Sequence, residues 1–354
     1  MDIRALIKEE ILAQKAYHVD PTSCRIKLDA NENPLAIPEK LRARLSALLA
    51  SIPLNRYPEA GSVRLASRFA KAFGVGEDQV MIGNGSDELI QILCTALARP
   101  GAGIMIPVPT FAMYRITGVN TGLRVTEVPL DGAFDLDLAA MREKAASRPP
   151  ALTFLAYPNN PTGNCFSRER IETVLREASG IVVVDEAYFH FAEKTFLSGV
   201  GRQENLVILR TLSKVGFAAM RVAILIGAPA LVHELNKVRL PYNLNSLSQA
   251  AAGFYLDNEE AFLEQAEKIR RWRGELFSAL EAIPGIHPRP TDANFIFFSC
   301  DFDADRVYSK LRERGILIRN FNSPGAMRGF MRVTVGTREE NVEFSEVLRN
   351  ILTE

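Results

Sequence analysis

Four short stretches of the chain carry residue types that could do chemistry, and each lies where a β-branched run gives way to a turn. In Gly83-Asn84-Gly85-Ser86-Asp87 a glycine-rich turn feeds a helical pattern. Backbone N–H groups at a helix start, reinforced by the helix dipole, suit a phosphate; a plain β–α turn with Ser86 as N-cap would use the same residues. The spacing matches neither G-x-G-x-x-G nor the P-loop, so dinucleotides and ATP gain no support. Asp185-Glu186-Ala187-Tyr188 follows Ile181-Val182-Val183-Val184. An acid at the carboxyl end of a buried strand sits where open α/β sheets bind ligands, and it needs a cation or a polar site there unless it merely caps the loop. Arg210-Thr211-Leu212-Ser213-Lys214 also follows an apolar run, with Arg221 seven residues beyond the lysine. A lysine flanked by hydroxyls can form a Schiff base if its ammonium is partly desolvated, although most lysines stay solvated. In Tyr157-Pro158-Asn159-Asn160-Pro161-Thr162-Gly163 two prolines constrain the turn and two amides are presented at a sheet edge.

The elements that would position these residues are legible in the periodicity. Strand-like runs occur at 80–82, 103–108, 123–128, 152–156, 181–184, 206–209 and 222–226. Helical patterns alternate with them; Leu89, Ile90, Leu93, Ala96 and Leu97 share one face, and Arg99-Pro100-Gly101 stops that helix. Repeated β–α alternation predicts an α/β fold with a mainly parallel seven-strand sheet covered by helices. The texture changes after Pro241, where a long helical region spans about 247–280 and ends at Ile283-Pro284-Gly285. Strands at 295–298, 316–319 and 331–335, with a helix to about Arg314 and another at the end, predict a smaller α+β domain. The expected division is an N-terminal arm (1–30), a large domain (31–250) and a small domain (251–354). Within the arm, Ile3, Leu6, Ile7 and Ile11 follow helical spacing and predict a short amphipathic helix that docks on something.

Composition narrows the function. The 354 residues hold 42 Lys+Arg against 42 Asp+Glu and are 47% hydrophobic, so a folded globular core is expected and a general nucleic-acid binder is not. No run reaches the roughly 18 apolar residues of a spanning helix, and Asp2, Arg4, Lys8, Glu9 and Glu10 interrupt any secretory leader. Four scattered cysteines (Cys24, Cys94, Cys165, Cys300) read as small buried hydrophobes, and four scattered histidines offer no metal spacing. The expectation is a cytoplasmic protein without a metal, a membrane or a nucleic-acid partner.

Taken together and in order, the stretches resemble the fold-type-I pyridoxal-phosphate aminotransferases, and within them the histidinol-phosphate aminotransferases. The resemblance runs from Leu28-Asp29-Ala30-Asn31-Glu32-Asn33-Pro34 and Asn55-Arg56-Tyr57-Pro58-Glu59 through Pro109-Thr110-Phe111-Ala112-Met113-Tyr114. It continues through Asn159–Gly163, Asp185–Tyr188 and Thr211–Lys214 to Met331-Arg332-Val333-Thr334-Val335-Gly336-Thr337, nearly the whole chain.

The resemblance implies roles. Lys214 would form the Schiff base with pyridoxal 5′-phosphate and shuttle a proton; Asp185 would pair with the pyridine nitrogen; Tyr188 and Asn160 would hydrogen-bond the phenolic oxygen. Gly85, Ser86, Asp87, Thr211, Ser213 and Arg221 would surround the phosphate, and Phe111, where relatives often carry Tyr, would stack on the ring. Lys214 and Arg221 are one residue closer than is common in the family. Tyr57 would complete the site of a second subunit in a homodimer. Tyr17, Asn160, Arg319 and Arg332 would bind substrate. The implied reaction interconverts histidinol phosphate plus 2-oxoglutarate and imidazole-acetol phosphate plus glutamate, by a ping-pong mechanism in histidine biosynthesis. An aromatic or broad-range aminotransferase, a threonine-phosphate decarboxylase and a non-catalytic cofactor-binding regulator are the alternatives.

Overall fold

The structure, a computed structural model, describes residues 1–16 and 24–354. Thirteen strands occur among them: β1 (Ile26–Lys27), β2 (Val80–Asn84), β3 (Gly103–Val108), β4 (Arg124–Pro129), β5 (Leu152–Ala156), β6 (Ile181–Asp185) and β7 (Leu206–Thr211), followed by β8 (Val222–Ile226), β9 (Ile286–Pro288), β10 (Phe295–Cys300), β11 (Ile316–Leu317), β12 (Arg319–Asn320) and β13 (Phe330–Thr334). Seven of them form one sheet in the order β2-β8-β7-β6-β5-β3-β4, parallel except where β8 runs against both of its neighbours. Each of these seven overlaps a strand-like run in the sequence, and all but β4 are mainly apolar.

Burial explains why those runs lack polar alternation. Val182 and Val184 of β6 and Leu206 and Ile208 of β7 join one hydrophobic cluster, whereas Val183, Val207 and Leu209 join another. Successive side chains of a strand point to opposite faces, and helices cover both faces, so every position must be apolar. The polar residues that remain are concentrated at the strands' carboxyl ends.

A four-stranded antiparallel sheet, β12-β13-β10-β9, forms the second layer system. The helices Glu259–Glu281, Ala304–Glu313 and Arg338–Thr353 contribute to its core. The last of them starts with a capping box: Thr337 Oγ accepts from the Glu340 N–H and Glu340 Oε2 accepts from the Thr337 N–H. Residues 26–28 also join this core, because β1 pairs in parallel with β11 and Leu28 is buried beside Val335 and Phe344.

Three local expectations are corrected. The long helix of about 247–280 is two helices, Ser246–Asp257 and Glu259–Glu281. Asn258 leaves helical geometry (φ −137°, ψ 25°), and its side-chain amide donates to the Phe254 carbonyl (2.8 Å), satisfying an orphaned helix-end acceptor. The strand at 316–319 divides at Ile318, with Ile316 and Leu317 paired to β1 and Arg319 and Asn320 paired to β13. The N-terminal pattern forms a single turn, Ile3–Leu6, and a short helix, Glu9–Leu12, separated by extended Lys8 (ψ 136°). Its Ile3, Leu6, Ile7, Ile11 and Leu12 are exposed in the single chain.

Candidate active site

At the carboxyl ends of β5, β6 and β7, facing the start of the helix Ser86–Leu97, lies a cavity of about 540 Å³. Its wall includes Ser86, Asp87, Phe111, Asn160, Asp185, Tyr188, Thr211, Ser213, Lys214, Arg221, Arg319 and Arg332. Residues separated by up to 246 positions therefore meet in one place, the crevice where open α/β sheets present their ligand-binding loops.

Asp185, the last residue of β6, is buried against two donors. Tyr114 Oη donates to Oδ2 (2.7 Å) and the Ala187 N–H donates to Oδ1 (3.1 Å). Burial pushes the carboxyl up to about 6 despite those two bonds, and Asp87 and Glu186 add like-charge repulsion. Above pH 7 it is largely ionised, a buried acceptor facing the cavity. The Tyr114 ring is fixed by stacking on Phe154, with centroids 4.6 Å apart and an interplanar angle of 5°. The same burial, together with the Asp185 charge, raises the Tyr114 phenol, so it remains a donor.

Lys214 follows β7 in a tight turn, and its Nζ donates to the Ala30 carbonyl (3.2 Å). Its pKa is lowered to about 8, first by burial and then by the Arg332 and Arg221 charges; Glu32 and Asp87 oppose the shift. At pH 7.5 about a quarter of such an amine is neutral, against roughly one part in a thousand at its ordinary value. The Tyr188 ring centroid is 5.8 Å from Nζ, and Tyr188 Oη accepts from Asn31 Nδ2 (2.9 Å).

The opposite end of the cavity is built for an anion. Gly85 stands just before the helix with φ +79° and ψ 165°, a backbone region essentially reserved for glycine. A Cβ there would lie 2.5 Å from Arg221 Nη2. Arg221, itself left-handed (φ 52°, ψ 50°) after the turn Ala218–Met220, reaches Asp87 Oδ2 (3.1 Å). The tight turn brings Arg221 to the cavity despite its short separation from Lys214. The Thr211 and Ser213 hydroxyl oxygens, 2.9 Å apart, line the same end.

The second sheet supplies the facing wall. Arg319 of β12 and Arg332 of β13 are cross-strand partners and both line the cavity. Arg332 donates through Nη1 to Asn160 Oδ1 and through Nη2 to the Asp29 carbonyl, and its guanidinium lies 5.1 Å from the Phe295 ring centroid. Two expected site residues are not among those that line the cavity in the described residues. Tyr57 is 81% exposed and stacks on Tyr242 (4.6 Å) away from the cavity, and Tyr17 lies outside the described residues. Conversely, Tyr114, Asn31, Asp29 and Glu32 belong to the wall without having been assigned a role from sequence. Their only sequence signal is membership of the two motif stretches 28–34 and 109–114.

The donor set suits pyridoxal phosphate. The glycine-lined helix start with Arg221 can take the phosphate, the lowered amine of Lys214 can take an aldehyde, and the buried acceptor of Asp185 can take a ring N–H.

Residues 25–348 match the model of the aminotransferase class I and II family. The chain belongs to the class I and II aminotransferases. It is 43% identical to histidinol-phosphate aminotransferase 2 of Nitrosococcus oceani, covering 97% of this chain and 96% of that one. It is 39% identical to the histidinol-phosphate aminotransferase of Aquifex aeolicus, with 97% of each covered. The fold matches the Sinorhizobium meliloti histidinol-phosphate aminotransferase in complex with pyridoxal-5′-phosphate (TM-score 0.89, 20% identity, 98% and 97% covered). It also matches the L-threonine-O-3-phosphate decarboxylase of Porphyromonas gingivalis (TM-score 0.79, 21% identity, 93% and 100% covered), so fold alone does not choose the reaction.

Proposed function

We propose that this chain transfers an amino group between histidinol phosphate and 2-oxoglutarate, giving imidazole-acetol phosphate and glutamate, with pyridoxal 5′-phosphate as cofactor. The observation that carries the reading is one cavity holding an anion cradle, a lowered lysine, a buried carboxylate and two facing guanidiniums. The substrate follows from the relatives at 39–43% identity over nearly the whole chain.

When bound, the cofactor supplies an electron sink for the carbanion left by removal of the substrate's α-proton. Gly85, Ser86, Asp87, Thr211, Ser213 and Arg221 hold its phosphate, by N–H groups, hydroxyls and a charge-assisted bond. Asp185 accepts the ring N–H and so keeps that nitrogen protonated. Tyr188 and Asn160 hydrogen-bond the phenolic oxygen, and Phe111 covers the ring. Lys214, lowered enough to be partly the neutral amine, would hold the cofactor's aldehyde and, once the incoming substrate amine has taken its place and freed it, would move the α-proton. Arg332 and Arg319 bind anionic substrate groups through planar forks, which suit carboxylate and phosphate alike.

The chain would divide into an N-terminal arm (1–30), a large cofactor-binding domain (31–250) and a small domain (251–354), a division that the separate hydrophobic cores of the two sheets support. A homodimer in which Tyr57 enters the partner's site accounts for an aromatic residue left exposed and stacked on Tyr242, itself exposed. A cytoplasmic setting fits four cysteines that form no disulfide.

The test is a half-reaction screen of the loaded protein against histidinol phosphate, phenylalanine, tyrosine and threonine phosphate, read from the cofactor's spectrum. Histidinol phosphate should react fastest, borohydride should attach the cofactor to the Lys214 peptide, and Arg319→Ala should hurt histidinol phosphate more than phenylalanine. A faster reaction with phenylalanine, or equal losses for both substrates in Arg319→Ala, would overturn the substrate assignment.

A further inference from the structure

Directly behind the cavity lies a buried ion pair that the chemistry above does not use. Glu186 Oε2 accepts from Arg210 Nε (3.1 Å) and Nη2 (2.9 Å), and Oε1 accepts from the Phe196 N–H (2.7 Å) and the Thr195 hydroxyl (2.8 Å). The side chains are 0% and 6% exposed. The Arg210 guanidinium is held between aromatic rings, 3.7 Å from the Phe189 centroid and 4.9 Å from that of Phe73. On the same side His190, hydrogen-bonded to Tyr255, is kept uncharged, pushed down to about 3 by burial and by Arg210.

The place of this pair in the chain is informative. Glu186 follows Asp185, and Arg210 precedes Thr211-Leu212-Ser213-Lys214. Asp185 and Thr211 face the cavity; strand alternation turns Glu186 and Arg210 to the other face. The β6–β7 ladder ends at Asp185↔Leu209, closed by the Glu186 N–H on the Leu209 carbonyl (2.8 Å). Beyond that point one chain runs to Tyr188 and the other to Lys214. An apolar pair of similar volume would hold two strands at least as well, since two buried charges carry a large desolvation cost. Two guanidinium N–H groups converging on one carboxylate oxygen, with the Phe196 N–H and the Thr195 hydroxyl on the other, nevertheless fix geometry, and the two charges are opposite.

We infer that Glu186 and Arg210 are positioning residues, an ion-pair clamp that sets where Asp185 and Lys214 enter the cavity while Arg210 offsets the Glu186 charge beside Asp185. The clamp deepens the aminotransferase reading and rests on it. Asp185 is faced by Tyr114 and Asp87 from two helices and by Glu186 from its own chain. Arg210 offsets part of the Glu186 charge. Unbalancing the pair then shifts Asp185 with a predictable sign, which a purely structural brace would not do.

The experiment follows the ¹³C-carboxyl titration of Asp185 in the full-length cofactor-free protein, assigned by the signal lost in Asp185→Asn, and kcat and KM in the loaded protein. Glu186→Gln keeps an acceptor for the fork but leaves a lone guanidinium, which stays protonated; Asp185 should titrate lower by about one pH unit or more. Adding Arg210→Met should return that titration toward the wild-type value, yet kcat should stay down about tenfold with KM little changed, because the fork is gone. Arg210→Lys, which keeps the charge without the fork, should retain the titration and lose the same rate; it decides the matter if the double variant does not fold. An unchanged Asp185 titration in Glu186→Gln, or full kcat in both the double variant and Arg210→Lys, would overturn the clamp. A wild-type protein with no cofactor band at Lys214 would refute the aminotransferase reading instead, and the carboxyl titration would still decide whether Arg210 offsets the Glu186 charge.

Discussion

Tyr114→Phe removes one oxygen atom and should move the pH dependence of the reaction. The Tyr114 hydroxyl is one of two donors to Asp185, at 2.7 Å and fully buried, and Phe would keep the ring stacked on Phe154. A hydrogen bond to a charged acceptor is worth about 1.5–3 kcal/mol, or roughly one to two pKa units at 1.36 kcal/mol each. Asp185 already stands at about 6, so the loss carries it to about 7–8. The sign is fixed: the hydroxyl favours the carboxylate, and removing it favours the acid. At pH 7 the ionised fraction should fall from about nine-tenths to between one-half and one-tenth. A bound ring nitrogen would lower both values together, leaving the difference between the two proteins. The assay is kcat for the half-reaction with histidinol phosphate between pH 5.5 and 9.5. The acid limb should move up by one to two units, with the rate at pH 9 returning to within about threefold of wild type. A loss independent of pH, or an acid limb that does not move, would refute the argument that Tyr114 acts through the Asp185 charge.

Three further outcomes follow from the same geometry. Because the folded pKa of Asp185 (about 6) lies above the ordinary 3.8, its burial costs nothing below pH 3.8 and costs more as pH rises through 6, reaching on the order of 3 kcal/mol. Asp185→Asn should therefore raise the Tm of the cofactor-free protein by several degrees at pH 8, with the gain fading below pH 4, while turnover falls at least a hundredfold; a lower Tm at pH 8 would contradict the desolvation argument. Gly85→Ala forces a Cβ to 2.5 Å from Arg221 Nη2 in a glycine-only conformation, at a strain of about 1–3 kcal/mol, so the cofactor Kd by equilibrium dialysis should rise about tenfold or more. Unchanged affinity would place the phosphate elsewhere. Finally, mixing inactive Tyr57→Ala and Lys214→Ala protomers should restore activity through heterodimers that hold one intact site, whereas no recovery after verified subunit exchange would keep Tyr57 out of a shared site.

Much of the architecture was legible before any coordinates. Strands buried on both faces must be apolar at successive positions, so β3 and β5–β8 stood out as continuous runs, and the polar residues that ended them marked the carboxyl edge where a ligand could sit. The order of the motifs then pointed to one site for Lys214, Asp185, Asn160 and Arg221. Local pattern misled where the decisive partner lay far along the chain. Nothing near Ile318 says that the segment changes sheets there, because β1, which takes Ile316 and Leu317 out of the β13 ladder, lies at the other end of the chain. Ile3, Leu6, Ile7 and Ile11 have helical spacing, but spacing alone does not make a helix without a surface to pack on.

Residue identity and order thus determined which groups were available for chemistry, since backbone periodicity and turn preferences are local properties that a short window expresses. Tertiary structure alone decided what those groups became. The lowered amine of Lys214, the raised carboxyl of Asp185 and the buried pairing of Glu186 with Arg210 arise from desolvation and Coulomb forces between residues that the fold, not the chain order, brings together. Those forces depend on distance and burial in space, and packing sets both.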